Sequence, residues 1–98
     1  MSRASVPYVE VLGEWLKDPA QAAAYLDVAL EDGDPEVFLL ALRDVAEARG
    51  LSAVAQESQL NRENLYRMLS RQGNPQLSSL SALLKSMGLR LSVQVQQA

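Results

Sequence analysis

Arg62, Glu63, Tyr66 and Arg67, with Asn61 and Asn64 beside them, are the side chains of this sequence best suited to chemistry. That chemistry is hydrogen bonding and charge pairing, because guanidinium, carboxylate and amide groups recognise polar edges and anions. None of them is an activated nucleophile, and the chain contains neither Cys nor His. Disulfides and thiolate metal sites are therefore excluded, and the commonest general base and metal ligand is missing. No Gly-rich phosphate loop, nucleophile motif, metal-ligand spacing or carboxylate pair on a cleft-forming stretch is present. No enzyme, cofactor or metal is expected.

Such side chains act together only if a helix holds them on one face. Residues 51–70, LSAVAQESQLNRENLYRMLS, read as two short helices joined by a tight corner. Ser52 can cap the first, which carries Val54, Ala55 and Ser58 on one side. Asn61 is a good cap for the second, since its side-chain oxygen can accept from an orphan backbone N–H. Leu65, Met68 and Leu69 at i, i+3 and i+4 give that helix one apolar face and leave Arg62, Glu63, Tyr66 and Arg67 on the other. Ala55 is small enough to let a second helix cross closely, and Leu60 can plug the corner. This is the helix-turn-helix pattern, in which the second helix enters the DNA major groove. The corner position that often holds Gly is Gln59 here, and left-handed backbone at such a residue costs about 1 kcal/mol. A plain structural helix pair has the same spacing, so spacing alone leaves both readings open.

The rest of the chain must position this pair. At 98 residues it has room for one domain and one modest core, and 48% apolar content marks a globular chain. No apolar run approaches membrane-spanning length and no secretory h-region follows the start, so a cytoplasmic protein is expected. The net charge of −3 is unevenly spread. Residues 1–48 hold three basic and ten acidic side chains, and residues 49–98 hold six basic and two acidic ones. Such polarity suggests two partners of opposite charge, although two merely solvated faces would give it too.

Residues 1–17 form an N-terminal arm in this reading, because Pro7 limits SVPYVEV to an edge strand or extended segment. Trp15 and Leu16 would anchor it. A helical core is expected over residues 18–88. Asp18-Pro19 and Asp34-Pro35 are helix starts, each a capping carboxylate followed by Pro at the first helical position. The first of these helices carries Ala22, Tyr25, Leu26, Ala29 and Leu30 on its apolar face and stops near Gly33. The second carries Val37, Phe38, Leu40, Ala41, Leu42, Val45 and Ala48 and closes at Gly50. The helix-turn-helix follows at 52–70, then a loop at Arg71-Gln72-Gly73-Asn74-Pro75. Leu77, Leu80, Leu83, Leu84 and Met87 mark a last helix capped by Gly88. LRLSVQVQ then alternates cleanly, which predicts a β-strand over 89–96. The expected class is all-α, five helices and a short C-terminal strand.

Several pieces in this order resemble a known family: AAYLDVALEDGDPE, ALRDVAEARGLSAVA, LNRENLYRMLS, GNP and LLKSMGLRLSV. The chain is similar to antidote (antitoxin) proteins of bacterial addiction modules that carry a phage-repressor-like (Xre-type) helix-turn-helix. The resemblance implies a regulator encoded beside a toxin, usually a small basic protein that cleaves RNA. The antidote would neutralise that toxin by binding it, and would repress its own operon by binding operator DNA, often as a dimer. It also implies base contacts by Arg62, Glu63 and Arg67, with Asn61 and Asn64 beside them. Arg suits guanine, Asn adenine and Glu cytosine. Tyr66, Arg71 and Ser52 suit phosphates. Glu63 could equally serve the helix dipole or pair with Arg67, and Tyr66 could pack on a neighbouring helix.

Two further sites can be assigned. Asp27, Glu31 and Asp32 stand near the C-terminal end of their helix, where anions oppose the macrodipole. A basic toxin would explain that placement, and ordinary solvation explains it almost as well. At the C-terminus, a lone strand needs a ladder partner. Pairing with the same strand of a second copy would bury Leu89, Leu91, Val93 and Val95 in a two-fold dimer. Addition to a sheet of the toxin is the alternative. A stand-alone transcriptional regulator and a protein-interaction adaptor are the competing functions.

Overall fold

A computed structural model describes residues 8–97. Among them are six helices and no strand: α1 (Tyr8–Leu16), α2 (Pro19–Glu31), α3 (Pro35–Arg49), α4 (Leu51–Ser58), α5 (Arg62–Met68) and α6 (Leu77–Ser86).

The helix boundaries follow from local chemistry. Asp18 Oδ1 accepts from the Ala20 N–H at 3.2 Å, and Asp34 Oδ1 accepts from the Glu36 N–H at 2.9 Å. Each cap satisfies an N–H that the helix itself leaves orphaned, with Pro following where no N–H is needed. At the end of α6, Gly88 takes φ 77°. This turns the chain so that the Gly88 N–H donates to Lys85 O at 3.0 Å and the Leu89 N–H to Leu84 O at 2.8 Å. Both bonds cover carbonyls that would otherwise lack partners, and Leu89 is left packed against the core.

One apolar cluster joins the helices. Leu16, Leu42, Val45, Val54, Leu65, Leu69, Leu83 and Met87 are its largest fully buried members. The α3 helix runs through the middle, in contact with α1, α2 and α4, and α4 in turn carries α5 and α6. Arg49, the last residue of α3, donates from Nη2 to Met87 O at 2.9 Å and so ties the end of α3 to the end of α6.

Several expectations are corrected. The arm over residues 1–17 is a helix from Tyr8 to Leu16, which makes the count six instead of five. Leu16 is buried and Leu12 packs on the cluster, so tertiary burial outweighs the weak alternation of SVPYVEV. Residues 1–7 lie outside the described residues. The α1 end is tied by Lys17 Nζ donating to Glu14 Oε2 at 2.6 Å, a contact that holds the Glu14 carboxyl below its ordinary pKa range. The strand over 89–96 is absent: residues 89–97 carry no regular structure, because no strand among the described residues offers them a ladder to join. Leu91 is exposed, and Val93 and Val95 are 98% and 93% exposed. Leu30, Val37 and Leu77, assigned to apolar faces, are also exposed, while Leu39 and Ala46 are buried.

Candidate nucleic-acid interface

The α4–α5 pair is built as the sequence pattern requires. Gln59 ends α4 with φ 63°, the single non-glycine residue of positive φ among the described residues. The Leu60 N–H donates to Ala55 O at 3.0 Å and the Gln59 N–H to Gln56 O at 3.3 Å, closing the helix end as at Gly88. Leu60 is half-buried in the corner and Ala55 is buried beneath it. Ser58 Oγ donates to Val54 O at 2.6 Å, which satisfies the one buried polar side chain among the described residues. Asn61 caps α5, accepting at Oδ1 from the Asn64 N–H at 2.7 Å. Leu65 and Met68, with Leu69 just beyond the helix, turn inward.

That arrangement leaves Asn61, Arg62, Glu63, Asn64, Tyr66 and Arg67 exposed together. Glu63 makes no ion pair with Arg67; Arg67 Nη1 instead reaches Asn64 Oδ1 at 3.5 Å. Tyr66 is 39% exposed, and the guanidinium of Arg43 lies 5.2 Å from its ring centre. Its ring thus packs on α3 while its edge remains open. Arg71 is exposed and pairs through Nε with Glu36 Oε1 at 3.1 Å. Ser52 is exposed but does not cap α4. The helix starts two residues earlier than a Ser52 cap would place it, with Gly50 at its N-cap and no side-chain bond there.

A cleft of about 620 Å³ opens between the outer side of α5 and the loop that leads to α6. Asn64, Arg67, Gln72, Asn74, Gln76 and Ser79 supply its polar walls. A Cβ on Gly73 would run into the backbone of Met68, so this loop position must be glycine for the loop to lie against α5. Gln72, Asn74, Gln76 and Ser79 were missed by sequence reasoning. The turn residues Gly73-Asn74-Pro75, which return the chain toward the preceding helix, were the available signal.

The other assigned sites are less concentrated. Asp27, Glu31 and Asp32 are all exposed; Asp27 and Glu31 lie one turn apart on the same side of α2, and Asp32 lies just past its end. Asp27 lines a groove with Leu30, Arg90 and Leu91, whereas Asp32 lines a different one between α2 and α3. No group of acidic side chains that could hold a metal occurs among the described residues, and no helix there is long and apolar enough to cross a membrane.

These features define an all-helical class of protein with one short helix presenting guanidinium and amide groups outward. The chain belongs to the family of probable addiction module antidote proteins, whose model matches residues 10–95. It is 34% identical over 83 residues to a Haemophilus influenzae protein described as uncharacterized, covering 85% of this chain and 86% of that protein. No solved structure matches it.

Proposed function

We propose that this chain is the antitoxin of a two-protein toxin–antitoxin module, with a binding role and no catalytic one. It neutralises a small, basic, RNA-cleaving toxin by binding it, and binds operator DNA to repress its own operon. The α4–α5 pair is a helix-turn-helix and α5 enters the major groove. The observation that carries this reading is the joint exposure of Arg62, Asn64 and Arg67 on a helix whose other side is pinned by buried Leu65. Arg62 and Arg67 would contact guanine, with Asn61, Glu63 and Asn64 beside them. Tyr66, Arg71 and Ser52 would hold phosphates.

A homodimer completes the reading, since two copies present two such helices to a palindromic site. The exposed tail side chains Leu91, Val93 and Val95, with Leu89 at their root, are the apolar surface that a second copy would cover. The acidic side chains Asp27, Glu31 and Asp32 suit a basic partner.

The test is binding to the DNA upstream of the gene, followed by fluorescence anisotropy across a salt series. Arg62→Ala and Arg67→Ala should each weaken binding by about 1–3 kcal/mol and relax sequence preference. If both bind like the wild-type protein, α5 is purely structural and the DNA reading is wrong.

A further inference from the structure

Between α2 and α3 runs an open groove of about 400 Å³. Its floor is Ala29 and Ala41, and its walls are Tyr25, Val28, Val37 and Leu40. Val28 is 67% exposed and Val37 37% exposed, so two β-branched aliphatic side chains face solvent across a common channel. Two carboxylates, Asp32 at the C-cap of α2 and Asp44 on α3, stand on its lips. Asp44 is held in place, because the Tyr25 hydroxyl donates to its Oδ2 at 2.6 Å. Trp15 of α1 packs edge-on against the same Tyr25 ring, with ring centres 6.5 Å apart.

We propose that this groove is the toxin-docking surface, and that its occupant is an amphipathic helix of the toxin with aliphatic side chains inward and Lys or Arg at both edges. The proposal rests on the antitoxin reading above. An apolar channel between two helices accepts the apolar stripe of a third helix. Carboxylates on both lips select a partner with cations on both sides of that stripe and disfavour an acidic one. No Lys or Arg lines the groove, so no cation within it competes for those carboxylates. A second copy of this chain is the poorer occupant, because the acidic half of one molecule would meet the acidic half of the other. The neighbouring groove fits less well too, since Arg90 sits beside Asp27 there and the tail residues Leu89 and Leu91 already occupy one wall.

Placement on α3 gives the groove a further property. Val37, Leu40, Ala41 and Asp44 lie on one stripe of the helix, and Glu36 and Arg43 lie about a quarter turn away. Those two residues hold Arg71 and Tyr66. One helix therefore touches both the docking surface and the side chains proposed to hold phosphate.

The test uses the full chain co-expressed with the product of the adjacent reading frame, followed by purification and surface plasmon resonance. Val28→Lys with Val37→Lys should weaken the complex by about tenfold or more. Asp32→Asn with Asp44→Asn should slow association at low salt and flatten its salt dependence. Glu10→Gln with Glu57→Gln, exposed carboxylates that line no part of the groove, should leave both unchanged. Helical content and melting temperature of the free variants should match wild type, since every replaced side chain is at the surface or keeps its acceptor. If the wild-type chain binds the adjacent product and both groove variants bind equally well, the docking surface is wrong and the antitoxin reading stands. If the wild-type chain does not bind it, both fall. Self-association lost in the Val28→Lys and Val37→Lys variant would mean that a second copy occupies the groove, and would also overturn the proposal.

Discussion

Arg43 on α3 stacks its guanidinium over the ring of Tyr66 on α5, 5.2 Å from guanidinium carbon to ring centre. The contact joins the central helix to the exposed one, and Arg43 also lies 3.7 Å from Glu47 Oε2 one turn along α3. A half-exposed cation–π pair contributes about 0.5–1 kcal/mol. Arg43→Gln should lower stability in urea by about that amount, and Tyr66→Phe should not. Equal losses in the two variants would mean that the Tyr66 hydroxyl carries the stabilisation instead of the ring.

Arg71 is engaged by Glu36 in the free chain, and the proposed DNA phosphate would have to compete with that carboxylate. An exposed pair of this kind is worth about 0–1 kcal/mol, so a phosphate can displace the carboxylate. Arg71→Ala should reduce the slope of log affinity against log salt by about 0.9, one phosphate contact. Glu36→Gln should tighten DNA binding modestly at low salt and leave sequence preference alone. Weaker binding by the Glu36→Gln variant would mean that the carboxylate aims Arg71 instead of restraining it.

Gln59 holds left-handed backbone that an L side chain adopts at a cost of about 1–2 kcal/mol. Gln59→Gly removes that cost but adds freedom to the unfolded chain. The expected net result is a gain of about 0.5–1 kcal/mol in thermal or urea unfolding. A loss would show that the Gln59 side chain makes a stabilising contact of its own.

The exposed tail predicts a concentration-dependent assembly. Val93→Asp with Val95→Asp should lower dimer content in sedimentation at a fixed concentration, with an unchanged melting transition for the monomer. Both side chains are almost wholly exposed, so the substitutions touch no core. Unchanged dimerisation would place the two-fold contact elsewhere.

The parts of the fold that could be read in advance are those set by a few neighbouring residues. Asp18-Pro19, Asp34-Pro35 and Asn61 start helices because cap and first turn lie within three residues of each other. The inward set Leu65, Met68 and Leu69 follows from helical period alone, and the outward set with it. What could not be read depends on distant partners. Helix α1 forms because Leu12 and Leu16 find the core, whereas its local pattern favours extended chain. The alternation of Leu89, Leu91, Val93 and Val95 is a strand pattern without a ladder, so it stays irregular in the single chain. Ser52 does not cap α4 because Gly50, at φ 97°, starts the helix two residues sooner. The α2–α3 groove joins residues from two helices, and Val37 was assigned to the core because its period fits equally well on the edge of the buried stripe.

The bond from Arg49 to the carbonyl of Met87 has a consequence for how the molecule opens. Arg49 Nε is buried without an acceptor among the described residues, so its charge is already poorly solvated. Losing Met87 O would leave the guanidinium with still fewer partners until water enters. Fraying at the end of α3 is thereby coupled to fraying at the end of α6 by the free energy of that bond, about 1.5–3 kcal/mol for a charged donor. One guanidinium thus links the local opening of two segments 38 residues apart in sequence.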